Sequence, residues 1–157
     1  MVGISLATLN AGELAKSKDP KKDNPTREEK VEILLTDLQK RCKKMLDLKI
    51  TVHKATKSLH KTVEGTSDKK PRPEDRKAAL KLADDIKKII AEVNAAVAIL
   101  EKEGSAVAFP EVFRQVRDDM KIVQTRLEKC DLGKKTQELQ QDIIDTLREM
   151  TAALEKK

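Results

Sequence analysis

From residue 31 to residue 63 the inward-reading positions of the chain recur four, then three, residues apart. They are Val31, Leu35, Leu38, Cys42, Met45, Lys49, Val52, Thr56, Leu59 and Val63. That spacing lays one stripe along an α-helix and is the pattern of a coiled-coil seam. Lys49 and Thr56 are its two polar interruptions, read as register devices or as places where the seam faces water or a partner. The pattern predicts a first helix over residues 25–64. Asn24 serves as its N-cap, Pro25 takes its first position, and Glu28 and Glu29 lie where the helix dipole favours acids. Gly65 closes it as a C-cap.

The same period returns three times. Ala79, Leu82, Ile86, Ile89, Val93, Ala96 and Leu100, widened by Ala83, Ile90 and Val97, predict a broadly buried helix over 73–103. Phe109, Phe113, Val116, Met120, Val123, Leu127 and Cys130 predict a third over 110–130. Leu139, Ile143, Leu147, Met150 and Leu154, with Ile144 beside them, predict a fourth over 136–155. Breakers fall between the helices: "TSDKKPRP" at 66–73, Gly104, and Asp131 to Gly133. "SAVAF" at 105–109 is too short and solitary to build a sheet. It reads as the turn joining two helical hairpins, with Phe109 and Phe113 plugging the corner. Short connections make successive helices antiparallel neighbours. The expected fold is therefore all-α: an elongated antiparallel bundle of about four helices, two long and two short, with coiled-coil-like heptad seams. Residues 1–24, containing "KSKDPKKDN", read as a flexible tail, and 25–157 as a single bundle. A basic stripe of Arg114, Arg117 and Lys121 faces an acidic stripe of Glu138, Asp142, Asp145 and Glu149 in this scheme. Arg117 is expected near Glu149, and Lys121 near Asp145.

Composition agrees with long helices. Charged residues make up 38% of the chain and aromatics 1%, the latter being the two phenylalanines alone. No run of about 18 apolar residues predicts a membrane span. The net charge of +6 is uneven: between residues 40 and 61 eight basic residues meet one acid, Asp47. On the heptad frame Lys40, Lys43, Lys44, Lys54, Lys57 and Lys61 fall on the outer face of the first helix. Such a face can engage phosphates in a salt-dependent way. It has no aromatic ring to stack a base and few Arg or Asn residues to read one. The ordinary alternative is a solvated face opposite a core seam.

Catalytic and metal chemistry find little to work with. His53 and His60 are seven apart and share a stripe, but adjacent-turn metal ligands need a spacing of four, which only His60 and Glu64 meet. Cys42 and Cys130 sit on seams. Helix rise places them at heights of roughly 25 Å and 45 Å, too far for a disulfide, so both read as buried free thiols. "LGKKT" at 132–136 lacks the earlier glycine and the preceding strand of a phosphate loop, so Gly133 reads as a helix cap. Asp118, Asp119, Asp142, Asp145 and Glu149 gather on facing helices without the histidines of a di-iron bundle and read as ion-pair partners. Met45, Met120 and Met150 read as core fillers. No catalytic residue, metal site or cofactor is expected, and no enzyme.

"AVAFPEVFRQVRDDM" (106–120) followed by "LGKKTQELQQDIIDTLREM" (132–150) resembles the C-terminal segment of a family of uncharacterised, coiled-coil bacterial proteins. The shared pattern is a Phe-Pro-Glu helix start, an Arg-Asp-Asp-Met step, and Thr-Gln followed by Asp-Ile-Ile. The resemblance covers about the last 50 residues. It implies a bacterial source, and an envelope or periplasmic location if a leader has been removed, with the cytoplasm as the alternative. It implies no activity. The expected function is that of a non-catalytic structural or interaction bundle that presents a helical surface to a protein partner or to a second copy of itself. The overhang of the first helix beyond its shorter neighbours is a natural place for dimerisation. The alternative is binding of nucleic acid or another anionic surface through the lysine face.

Overall fold

A computed structural model describes residues 26–103 and 108–155. It contains four helices: α1 (Arg27–Glu64), α2 (Pro73–Glu103), α3 (Ala108–Glu128) and α4 (Lys134–Glu155). The described residues form an all-α helical bundle with no strand among them. The described residues fall into two units that divide between residues 35 and 36. The expected tail and the corner at 104–107 lie outside the described residues.

In the first unit the opening turn of α1 carries a reciprocal cap. Thr26 N–H donates to Glu29 Oε1 at 2.8 Å, and Glu29 N–H donates to Thr26 Oγ1 at 3.1 Å. Two of the end donors that a helix leaves free are thus satisfied by one Thr-x-x-Glu box. The cap is therefore Thr26, two residues past the predicted Asn24, because the pair Thr26 and Glu29 can answer each other.

In the second unit the helices run antiparallel in sequence order. Arg41 joins α1 to α2 through Glu92 at 3.6 Å. Arg114 joins α3 to α2 through Glu101. α2 and α3 make the most extensive backbone approach, and α3 packs on α4. α1 reaches α4 through side chains, as described below. Leu38, Cys42, Met45, Ile86, Val93, Ala96, Phe113, Met120, Val123, Leu127 and Leu147 have no exposed surface. Each large apolar side chain buried in this way contributes roughly 1.5–3 kcal/mol relative to leaving it exposed.

Several local expectations are corrected. Gly65 is not left-handed; a Cβ there would stand 3.3 Å from the Lys61 carbonyl. Thr66 caps α1 instead, its N–H and Oγ–H both donating to the Val63 carbonyl at 3.1 Å and 2.7 Å. α2 opens at Pro73, as expected, with Asp75 accepting the Arg72 N–H at 2.9 Å. α3 begins at Ala108, so Pro110 lies inside the first turn, where a missing N–H breaks no helical bond. Cys130 is not a seam residue of α3. It follows the helix at φ 58°, with Cys130 N–H donating to Leu127 O at 2.9 Å and Asp131 N–H to Arg126 O at 2.8 Å. This is a Schellman cap with cysteine at the position glycine usually holds. Gly133, as expected, is a helix cap: it stands just before α4, its carbonyl accepting Gln137 N–H at 3.0 Å.

The expected α3–α4 ion pairs are absent among the described residues. Arg117 contacts Asn94 of α2 at 3.5 Å and its neighbour Asp118 at 3.3 Å, while Asp145 pairs with Arg148 within α4. Arg114 and Arg117 lie on the flank of α3 that adjoins α2, so their guanidinium groups reach that helix first.

Candidate functional site: a polar layer in the core and the groove beside it

The interior of the second unit is not uniformly apolar. Lys49, His53 and Thr56 of α1, together with Thr136 and Gln140 of α4, are all buried. On α1 the spacing of 49, 53, 56 and 60 continues the four-three alternation with polar side chains. On α4 positions 136 and 140 are one turn apart and present the same inward face. The two stripes meet. Lys49 Nζ donates to Gln140 Oε1; Gln140 Nε2 donates to Thr56 Oγ1 at 3.0 Å; and Thr56 Oγ–H donates to the Val52 carbonyl at 2.8 Å. The amide of Gln140 thus links two α1 side chains two turns apart.

Lys49 is 0% exposed. No carboxylate is paired with it among the described residues. Removal from water disfavours its charged form, and burial alone lowers its pKa from 10.5 to about 7. His53 is only 7% exposed. Its pKa is held below the ordinary imidazole value first by burial, then by the neighbouring charges of Lys49 and Lys57, with a smaller opposing effect from the Gln141 side chain. Two polar atoms of this region have no hydrogen-bond partner, His53 Nδ1 and Thr136 Oγ1.

His53 also forms the wall of an open groove of about 280 Å³ between α1 and the start of α4. Lys57 and His60 continue the α1 wall. Lys134, Gln137, Glu138 and Gln141 form the other. Lys134 and Glu138 are 3.9 Å apart. The groove thus combines two ammonium groups, two imidazoles and two amides with one carboxylate. Among the described residues no set of three His, Cys, Asp or Glu side chains is placed to hold a metal ion.

The six lysines read from the sequence, Lys40, Lys43, Lys44, Lys54, Lys57 and Lys61, are all exposed, and none makes an ion pair among the described residues. Lys57 borders the groove; the others do not line it. A second, smaller depression of about 180 Å³ lies between α1 and α2 against Leu48, Thr51, Val52, Asp85, Lys88 and Ile89. Leu48 there is 40% exposed. The two cysteines are free thiols. Cys42 is buried, and burial pushes its pKa up to about 11.

The lysine face, the two histidines and the polar interruptions Lys49 and Thr56 are each visible in the sequence. Their partners on α4 are not. Gln140 and Thr136 occupy core positions, while Leu139, read as the inward residue, is only half-buried. The available signal was the cluster Thr136, Gln137, Gln140 and Gln141: a buried lysine and threonine on one helix require polar partners on the helix that covers them.

No family model, curated protein or solved structure matches this chain. None of the described helices is long and apolar enough to cross a membrane.

Proposed function

We propose that the protein is a non-catalytic interaction bundle whose working surface is the outer face of α1, and that its partner is a protein with an acidic surface. One observation carries this reading: six exposed lysines on one helix without ion-pair partners. Some lysines elsewhere on the bundle are answered locally, as in Lys81 with Asp85 and Lys88 with Asp84; what sets α1 apart is that its six share one face. A face of one sign steers an oppositely charged partner and raises its rate of association.

Leu48 and the depression beside it favour a protein over a nucleic acid. They supply apolar contact area next to the charges, the usual make-up of a protein interface. The second reading, a nucleic acid or anionic surface, rests on the same lysines. It lacks aromatic side chains for stacking, since the chain has no Trp or Tyr.

The test uses the full chain and two labelled probes, poly-glutamate and a DNA duplex, with binding followed by anisotropy across a salt series. A triple variant, Lys40→Glu, Lys43→Glu and Lys54→Glu, leaves Lys57 and the groove intact. Tighter binding of the acidic polypeptide, lost in the variant, supports the proposal. Preference for the duplex, with the same loss, replaces it with the second reading. Binding of either probe that survives the triple variant removes the lysine face from the account. Light scattering of the eluted protein checks self-association at the same time.

A further inference from the structure

We infer that the groove between α1 and the first turns of α4 is a binding site for a small phosphomonoester, held by Lys57 and Lys134 with His53 and His60 as imidazole donors. Three features of the groove point this way. Its two lysines approach from different helices, so that an oxyanion between them would be gripped from both sides, in contrast to the outer lysines, which share one helix face. The first turn of α4 contributes Lys134 and Gln137 to the wall, with Glu138 just beyond it, and this is the end of the helix where the dipole favours negative charge. His53 is buried, lines this groove and leaves Nδ1 without a hydrogen-bond partner. Most buried polar atoms in folded proteins have a partner, so an unpartnered one in a groove wall is available to a ligand that enters the groove.

Glu138 narrows the ligand class. Its carboxylate lies in the same groove, 3.9 Å from Lys134, and would repel a chain of phosphates. It would accept a hydrogen bond from a hydroxyl next to a single phosphate. A polyol or sugar phosphate offers both groups, and the groove volume of about 280 Å³ suits a ligand of that size. Gln137 and Gln141 supply amides for the remaining oxygens. The positive potential there is also apparent in His53, whose protonation is opposed by Lys49 and Lys57. This inference is independent of the outer-face proposal, since only Lys57 belongs to both surfaces.

The experiment titrates the full chain with inorganic phosphate, with glycerol phosphate, and with phosphatidylcholine vesicles containing phosphatidic acid, at low salt. The imidazole resonances of His53 and His60 are followed by NMR and affinity by calorimetry. Saturable shifts of both histidines with glycerol phosphate are expected. Binding should weaken about ten-fold in either Lys57→Gln or Lys134→Gln, the loss of one charge-assisted hydrogen bond. It should be unchanged in Lys40→Gln/Lys43→Gln. Saturation by vesicles alone, with the same dependence on Lys57 and Lys134, keeps the site and assigns the phosphomonoester to a lipid headgroup. Unmoved histidine signals with every probe overturn the inference. So does binding that is lost in Lys40→Gln/Lys43→Gln and retained in the two groove variants. Circular dichroism of each variant confirms that the helices persist.

Discussion

Lys49 on α1 donates its ammonium protons to Gln140 on α4, 91 positions away in the chain and without surface access. Gln140 in turn holds Thr56 at 3.0 Å. This three-residue chain is the main polar connection between α1 and α4. A seam of leucines would pair the helices in several registers with little difference in energy; a buried lysine that finds its acceptor in only one of them selects that register. Specificity of this kind costs stability, because the lysine must lose either its water or its charge.

That cost is visible as a pH dependence. The folded pKa of Lys49 is lowered to about 7 from 10.5. Below pH 7 both the folded and the unfolded chain carry the proton, and the penalty is constant. Above pH 7 the folded state gives the proton up while the unfolded state keeps it, so the unfolded chain binds more protons and stability rises with pH. Between pH 7 and pH 9 the gain is roughly 2 kcal/mol. Cys42 acts in the opposite sense above about pH 9, since burial raises its pKa to about 11. Urea unfolding at pH 6, 7, 8 and 9 should show the rise, and Lys49→Met should flatten it. An equal slope in that variant would mean that another group titrates.

Gln140 should be less dispensable than the lysine it serves. Gln140→Leu leaves a buried ammonium without its acceptor and removes the Thr56 contact, an expected loss of about 2–4 kcal/mol at pH 7. Adding Lys49→Met to Gln140→Leu should restore most of it, because an apolar pair of similar volume replaces the polar one. Additive losses in the double-mutant cycle would show that the two side chains do not act as a pair.

Phe113 tests the packing at the other end of α3. It is fully buried, whereas Phe109, one turn earlier, is half-buried. Phe113→Ala should cost about 3–5 kcal/mol. Phe109→Ala should cost less, below about 2 kcal/mol, in proportion to the smaller area removed from water. Denaturant midpoints of the two variants, compared at equal m-value, give the ranking. A loss below about 1 kcal/mol at Phe113 would place that ring against solvent or a partner.

The reason the sequence revealed the helices and only half of the site lies in what periodicity encodes. Apolar spacing reports which face of a helix is buried, so Leu38, Met45, Ile86 and Met120 could be read as core residues without knowing their neighbours. Lys49 and Thr56 stood out because they break that spacing. Gln140 did not stand out, since a glutamine one position from Leu139 resembles a surface residue until the opposing helix is known to carry a buried cation. Pairing is a property of two segments, and spacing within one segment is silent about it. The same limit explains Arg117, which the charge pattern assigned to α4: a helix flank adjoins one neighbour or the other, and only the packing around Val116 and Met120 decides which.

Cys130 offers a prediction of the opposite sign from the others. Its φ of 58° is a left-handed conformation in which a Cβ is crowded, at a cost of roughly 1–2 kcal/mol for a residue other than glycine. The conformation persists because the two cap bonds, Cys130 N–H to Leu127 O and Asp131 N–H to Arg126 O, satisfy the end of α3 and turn the chain into α4. Glycine would make the same bonds without the crowding, and its greater freedom in the unfolded chain offsets part of the gain. Cys130→Gly should therefore stabilise the fold by about 0.5–1 kcal/mol. Cys130→Ala keeps the Cβ and removes only the sulfur, so it should give no such gain. Urea midpoints of both variants under reducing conditions separate the two effects. Stabilisation by alanine equal to that by glycine would place the cost in the thiol, not in the backbone.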